Sequence, residues 1–271
     1  MAREPFVRRD GGGVPYYSCP ALEELRFIHH GFSTRHGGIS PLPADNLNLS
    51  HVSWDSAGRV DENRRRFMAA LDLRDATLAT LSQIHSDRLL IIEEKAGQWN
   101  QRPQADAQAT RIESVVLAVQ TADCFPILIV DPKVRAIAGL HAGWRGTLAR
   151  IVSKAVTTMK TALDCDPARL ILAIGPAIRN CCFEVGSEVV EAFEREFPGV
   201  RLAQPVSGHS GKSLLDLRRA LDVQFAELGI SQSQVFDLGM CTRCRMDEFF
   251  SYRGEGPKSG RLMAVISLVS D

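Results

Sequence analysis

Residues 126–142 read PILIVDPKVRAIAGLHA and consist of two apolar runs joined by a short polar connection. Each run is rich in Val, Ile and Leu and is too short for a typical helix, which favours buried strands. The connection, Pro132–Arg135, follows an aspartate and has the length of a turn, which is typical of a β-hairpin. A symmetric turn places His141 opposite Pro126 in this hairpin.

Further apolar patterns on both sides of the hairpin indicate alternating strands and helices. Strands are predicted at residues 27–34, 89–93, 115–121, 170–175, 235–239 and 262–269, and helices at residues 61–71, 147–163, 187–197 and 213–228. Ser213 is the expected N-cap of the last helix. Strands interleaved with helices are typical of an α/β (α+β) sandwich, and the hairpin indicates mixed β-sheets flanked by helices.

The chain shows no internal repeat and no linker rich in Pro, Gly or Ser that would divide it. We therefore predict a single domain over residues 21–271. The first residues carry several arginines and three consecutive glycines without an apolar core segment, so residues 1–20 are predicted to be a mobile N-terminal tail.

The composition is that of a globular protein with balanced charge. The chain of 271 residues has 32 basic and 32 acidic side chains, which disfavours a general nucleic-acid-binding protein because such proteins carry a basic face. No apolar run approaches the roughly 18 residues that span a membrane, so no membrane partner is expected. Seven cysteines without a secretory signal indicate a reducing compartment, and we predict a cytoplasmic protein. The oligomeric state is not predicted.

Three polar residues interrupt apolar surroundings: His85, Cys124 and His141. Cys124 lies two positions before Pro126, so it faces the same side as His141 because side chains alternate along a strand, whereas a register slip of one residue would separate them. Imidazole and thiolate together suit Zn²⁺ or copper, and three ligands with an open position are typical of a catalytic zinc site. The alternative interpretation is that Cys124 is an ordinary small core residue.

The segment from Gly143 to Gly146, GWRG, joins the second hairpin strand to the following predicted helix. Its glycines allow a ligand to approach closely, the helix N-terminus offers free N–H groups, and Arg145 adds a guanidinium. This pattern predicts a phosphate or carboxylate pocket beside His141. The alternative is a tight turn with Arg145 at the surface and Trp144 packed below it.

Other segments offer further candidate residues. Ser33 and Arg35 lie in a polar, glycine-containing segment after a predicted strand, which indicates either a second anion-binding loop or an ordinary loop. Tyr252 and Arg253 follow a pair of phenylalanines and are expected to line a cleft.

Cys241 and Cys244 have the spacing of a redox pair or of half a zinc site. A zinc site needs two more ligands, and the adjacent Cys181 and Cys182 are expected to diverge from one another. Core or incidental thiols are therefore the favoured interpretation.

Taken together, these segments resemble the YfiH-like family, whose members have been called polyphenol oxidases, laccase-domain proteins and purine nucleoside phosphorylases. The resemblance runs from about Gly31 to Leu268. The segments that carry it are Gly31–Gly38, Gln83–Ser86, Ala122–Pro126, His141–Gly146, Cys241-Thr242 and Ser251–Arg253.

The resemblance implies an α/β sandwich and a metal triad at His85, Cys124 and His141, usually occupied by zinc. It implies phosphorolysis of adenosine, inosine and methylthioadenosine to free base and ribose 1-phosphate, and deamination of adenosine. The expected partners are therefore the small-molecule nucleoside and phosphate. Copper-dependent phenol oxidation is an older attribution, and some bacterial relatives have been assigned a role in peptidoglycan editing.

The number of histidines helps to choose among these activities. A multicopper centre needs many histidine ligands, and the chain has seven histidines, few of which lie in a suitable context. The sequence therefore predicts a zinc-dependent purine nucleoside phosphorylase with adenosine deaminase activity. In this prediction Arg145 and the backbone of Gly143–Thr147 bind phosphate, and Ser33 and Arg35 form a second wall. Arg253 is a further predicted substrate- or phosphate-binding residue. A copper-dependent polyphenol oxidase and a peptidoglycan-editing factor are the alternatives.

Overall fold

The computed structural model describes residues 4–41, 46–94, 102–207 and 211–270. In chain order its strands are β1 (Val7–Asp10), β2 (Pro15–Ser18), β3 (Ile28–Ser33), β4 (His36–Ser40), β5 (Thr77–Ala79), β6 (Leu89–Ile92), β7 (Ala107–Thr110), β8 (Val115–Thr121), β9 (Phe125–Asp131), β10 (Ala136–Ala142), β11 (Ile171–Ile174), β12 (Glu184–Gly186), β13 (Ala203–Pro205), β14 (Lys212–Leu215), β15 (Val235–Asp237) and β16 (Leu262–Leu268). The helices are α1 (Pro20–Glu23), α2 (Ala57–Ala70), α3 (Trp144–Leu148), α4 (Ile151–Leu163), α5 (Ser187–Glu196), α6 (Leu217–Glu227) and α7 (Tyr252–Glu255). None of the helices in these ranges is long and apolar enough to cross a membrane.

Two mixed sheets of six strands form the centre of the molecule. The first has the strand order β1-β2-β3-β16-β8-β5 and the second the order β15-β11-β9-β10-β7-β6. Most neighbours are antiparallel, but β5 with β8, β6 with β7 and β11 with β15 are parallel pairs. The predicted sandwich of mixed sheets in a single domain is therefore confirmed.

The inner faces of the two sheets pack against each other. Leu117 and Val119 of β8 share an apolar cluster with Leu128, Val130 and Ile137 of β9 and β10, because alternate side chains of each strand point to the same face. On the outer faces, α2 packs on the first sheet, α4 on the second, and α6 on α4. The layers are thus helix, sheet, sheet and helix.

The predicted hairpin is confirmed together with its register. His141 of β10 lies opposite Pro126 of β9. The turn is held by the buried carboxylate of Asp131, which accepts a hydrogen bond from the backbone N–H of Lys133 at 3.0 Å and one from Arg169 at 2.9 Å. The other predicted strands agree with observed strands to within one or two residues at each end.

The prediction of a mobile tail over residues 1–20 is wrong for most of its length. β1 and β2 form a hairpin that joins the first sheet through β3, and Phe6 and Tyr17 are buried in the core. Two of the three consecutive glycines have positive φ angles, so the glycine run makes a tight turn between strands. Residues 1–3 lie outside the described ranges.

Three predicted helices differ from the structure. The helix expected over residues 61–71 begins four residues earlier, at Ala57, after the N-cap Ser56. The helix expected over residues 147–163 is interrupted at Arg150, whose φ of 62° is left-handed and whose guanidinium pairs with the carboxylate of Glu196. The helix expected over residues 213–228 begins later, because β14 pairs with both β12 and β13. Its N-cap is Asp216 instead of Ser213.

We expect Gly175→Ala to destabilise the protein by about 1–3 kcal/mol, because an added Cβ would lie 2.2 Å from the buried ring of Phe32. Urea-induced unfolding measures this loss. The matched control is Gly58→Ala in α2, where a Cβ meets open space and alanine is the better helix former. Equal stability of the two variants would show that Phe32 moves aside.

Candidate functional site

The structure brings His85, Cys124 and His141 together at one end of the sandwich. One donor atom from each of the three lies within 4.8 Å of the other two, and the two imidazole rings are 5.0 Å apart, edge to face. Cys124 directly precedes β9, His141 belongs to β10, and the confirmed register places both on the face toward the first sheet. His85 reaches them from the loop between β5 and β6.

A residue that the sequence did not single out, Asp106, organises two of these three groups. Its buried carboxylate lies 2.9 Å from Nδ1 of His141. It also accepts hydrogen bonds from the backbone N–H groups of Ile84, His85 and Ser86 and from the Ser86 hydroxyl. These bonds hold His85 at a φ of 61°, a left-handed conformation that is costly for a residue other than glycine.

The electrostatics of the cluster follow from burial and close charges. Burial raises the pKa of Asp106, but hydrogen bonds from His141 and Ser86 outweigh it and lower the pKa to about 2. Burial likewise raises the pKa of Cys124, yet the neighbouring His141 and His85 lower it to about 6. For His141 burial lowers the pKa, and Cys124 and Asp106 together raise it to about 9. The cluster therefore favours a thiolate beside its imidazoles.

The space beside the cluster is kept open by Gly143. A Cβ at this position would lie 2.9 Å from Sγ of Cys124 and 3.0 Å from a ring carbon of His85. Because the φ of Gly143 is −78°, an ordinary backbone value, glycine is required here for space and not for conformation.

These residues fit a metal ion of the zinc or copper type. A thiolate and two imidazoles are the donors that such ions prefer. The bond from His141 to a carboxylate is the arrangement that orients metal-binding histidines in general. Three protein donors leave a coordination position for a reactant.

Asp123, next to Cys124, ties the surrounding loops to the cluster. It has a φ of 91°, and its carboxylate accepts hydrogen bonds from the Thr242 and Ser251 hydroxyls and from the backbone N–H of Arg253. These three bonds hold the segment that carries Tyr252 close to Cys124. Tyr252 and Arg253 both line a cavity beside the cluster, as the sequence predicted.

The cavity has a volume of about 590 Å³ and contains His85, Cys124 and His141 in its wall. Leu81, Ile178, Phe183 and Tyr252 form apolar and aromatic parts of the lining, and Ser50, Ser82, Gln83 and Gln120 form polar parts. Three arginines, Arg102, Arg253 and Arg261, add positive charge. One small chamber therefore combines a candidate metal centre, aromatic surface and cationic groups.

Two of the cavity arginines are held in place by backbone carbonyls. Arg253 donates from Nη1 to the carbonyl of Glu184 at 2.7 Å. Arg261 donates to the carbonyls of Ser259 and Gly260, and burial lowers the pKa of Arg261.

The structure does not bring the other predicted anion-binding residues to this cavity. Arg145 is exposed, and its guanidinium lies 4.1 Å from the ring of Trp144. The segment after β10 is therefore a tight turn with Arg145 at the surface. Ser33 is buried within β3 and accepts a hydrogen bond from the backbone of Met263. Arg35 is buried and forms an ion pair with Glu255. Of the predicted binding residues, Arg253 lines the cavity, and Gly143 touches the cluster.

The fold and the site define an α/β sandwich protein with a His–Cys–His centre in the wall of a ligand-sized cavity. The family model described as "Multi-copper polyphenol oxidoreductase laccase" matches residues 29–269. The chain therefore belongs to this laccase-domain, YfiH-like family.

Similar proteins cover almost the whole chain. A purine nucleoside phosphorylase of Deinococcus radiodurans is 35% identical over 257 residues, which cover 94% of each chain. Adenosine deaminase RL5, from an unknown prokaryotic organism, is 35% identical over 89% of this chain and 95% of its own. The crystal structure of YlmD from Geobacillus stearothermophilus matches with a TM-score of 0.88 at 28% identity, over 99% of this chain and 100% of its own.

We expect Asp106→Asn to lower the affinity for Zn²⁺ by about 10- to 100-fold, because His141 and the His85 loop lose the carboxylate that orients them. Competition with a chromophoric chelator measures the affinity, and circular dichroism checks that the fold is retained. Ser86→Ala is the matched control: it removes one hydrogen bond to Asp106 but keeps the carboxylate, so its loss should be smaller. An affinity unchanged by Asp106→Asn would contradict the orienting role.

Proposed function

We propose that the chain is a zinc-dependent purine nucleoside phosphorylase. It converts adenosine, inosine and methylthioadenosine to the free base and ribose 1-phosphate, and it also deaminates adenosine. The observation that carries the proposal is the convergence of His85, Cys124 and His141 on a cavity with a cationic wall. The names of the relatives, purine nucleoside phosphorylase and adenosine deaminase, support an enzyme that acts on nucleosides.

The cavity suits a nucleoside in size and chemistry. Its volume of about 590 Å³ is typical of small-molecule sites, which measure roughly 300–1,000 Å³. Phe183 and Tyr252 offer aromatic surface to a purine ring. Arg253 and Arg261 offer charge-assisted hydrogen bonds to phosphate, and we assign phosphate binding to them instead of Arg145.

Phosphorolysis joins a phosphate oxygen to C1′ of the ribose while the bond from C1′ to the base nitrogen breaks and the base takes up the electron pair and a proton. The arginines hold the anionic nucleophile against the sugar, which lowers the entropic cost of the encounter. Asp106 fixes the ring of His141 through Nδ1. His85, Cys124 and His141 hold the zinc ion, which supplies Lewis acidity when bound.

The donor set favours zinc over a copper oxidase centre. Laccase chemistry passes single electrons through several coppers, whereas the described wall of the cavity contains two histidines, His85 and His141. Zinc has no redox chemistry of its own, and a single open site beside cationic groups suits attack by phosphate or water. None of the seven cysteines, all of which lie in the described ranges, is paired in a disulfide, which supports the cytoplasm as the proposed location.

Incubation with adenosine tests the proposal. We expect adenine and ribose 1-phosphate in the presence of phosphate, and inosine without it, resolved by chromatography.

Cys124→Ala should abolish both activities and lose one equivalent of zinc, while Cys165→Ala, which removes a buried thiol elsewhere, should retain both. Loss of copper instead of zinc, with oxidation of phenols, would favour the polyphenol oxidase. A folded, metal-loaded protein without turnover would favour a non-catalytic role such as peptidoglycan editing.

The phosphate site can be tested separately. We expect Arg253→Gln to raise KM for phosphate by roughly 10- to 100-fold, since a hydrogen bond to a charged group contributes about 1.5–3 kcal/mol. Arg145 is also exposed but lies outside the cavity, so Arg145→Gln should change KM for phosphate less than about twofold. If KM for phosphate rises more in Arg145→Gln than in Arg253→Gln, phosphate binds at the turn after β10 instead of at Arg253.

A further inference from the structure

Two loops bring four cysteines together away from the His–Cys–His centre. Cys181 and Cys182 lie in the turn between β11 and β12, and Cys241 and Cys244 follow β15. Their four sulfur atoms all lie within 4.8 Å of one another. The expectation that Cys181 and Cys182 diverge is wrong, because the backbone N–H groups of Cys182 and Phe183 both bond to the carbonyl of Arg179, and adjacent side chains do not alternate in so tight a turn.

We propose that Cys181, Cys182, Cys241 and Cys244 form a second metal site, a tetrathiolate that binds a structural Zn²⁺ ion. In tetrahedral coordination with Zn–S bonds of about 2.3 Å, the sulfur atoms lie about 3.8 Å apart. The sulfur of Cys244 lies 3.4 Å from that of Cys182 and 3.6 Å from that of Cys181. The cluster therefore has close to the dimensions of an ion-filled site.

The environment of Cys241 is that of a thiolate ligand. Its sulfur accepts a hydrogen bond from the backbone N–H of Arg179 at 3.5 Å, and the backbone N–H groups of Cys244 and Arg243 also interact with it. Burial raises the pKa of Cys241, but these amide donors lower it below its usual value. Such amides stabilise negative charge on sulfur.

At Cys181 and Cys182, burial and the neighbouring sulfurs raise the thiol pKa. Burial and then the adjacent sulfur of Cys241 raise the pKa of Cys181 to about 11, and burial and Cys244 raise that of Cys182. Four sulfurs packed this closely have the arrangement in which thiolates share one divalent ion. Binding of the ion releases the thiol protons.

A closed set of four protein ligands is typical of structural zinc, and the position of the cluster suits that role. The two loops already pair through Ala177 and Cys241, and Thr242 bonds to Asp123. The same loops supply Ile178 and Phe183 to the cavity wall. Zinc at the cluster would cross-link the loops that form this wall.

Metal analysis of the purified, reduced protein tests the proposal without reference to activity. We expect Cys244→Ser and Cys181→Ser each to contain one equivalent of zinc less than the parent protein. Cys165→Ser, which changes a buried thiol outside the cluster, should keep the parent content. The double variant Cys124→Ala/Cys244→Ser should lose two equivalents, so the two sites are counted independently. If the His–Cys–His centre holds no zinc, the loss of one equivalent in Cys244→Ser and in Cys181→Ser still tests the cysteine cluster.

Cobalt substitution identifies the ligands. In the Cys124→Ala protein, Co²⁺ at the cluster should give the intense sulfur-to-metal charge-transfer absorption of a tetrathiolate, and Cys244→Ser should remove it. The proposal is overturned if the folded Cys124→Ala protein shows no such absorption, or if mass spectrometry of the parent protein finds a disulfide within the cluster.

Discussion

The buried carboxylate of Asp106 is the constraint on which the site depends. Its residue is 1% exposed, and a buried charge is costly unless its oxygens are fully hydrogen-bonded. The groups that satisfy it are the N–H groups of the His85 loop and the ring of His141. The same bonds that offset the burial of the charge therefore bring two candidate ligands from separate parts of the chain to one place. Local strain at His85 is sustained by this bonding.

The part of the site carried by the hairpin was predictable from the sequence. The position of the turn fixes the register of β9 and β10, and the register fixes the common face of Cys124 and His141. Asp106 was not predictable, because it lies in a short run of small and polar residues without a periodic pattern. Asp106 matters because the loop at Ser86, about twenty residues earlier in the chain, folds against it. Local sequence patterns do not predict a contact between segments so far apart.

Two of the three misplaced helices and the N-terminal tail have a common physical cause. In each case tertiary pairing overrides a local preference: β14 is held between two partners, Arg150 is held by acidic side chains of other helices, and the glycine turn is held by the pairing of β1 with β2.

The side-chain direction of Arg145 was not predictable for the same reason. A guanidinium near a glycine turn has the right composition for an anion site, but the direction of the side chain depends on packing, and here it lies over Trp144.

Asp123 connects the cavity to the cysteine cluster. Its carboxylate bonds to Thr242, which follows Cys241, and to the backbone N–H of Arg253. Its carbonyl accepts from the N–H of Ile178, three residues before Cys181. A continuous set of hydrogen bonds therefore joins the cysteine loops to the wall residues. Because Cys124 directly follows Asp123 in the chain, the residue that anchors these loops also sets the backbone conformation immediately before Cys124. Asp123 thus links the part of the wall that carries Ile178, Tyr252 and Arg253 to the position of Cys124.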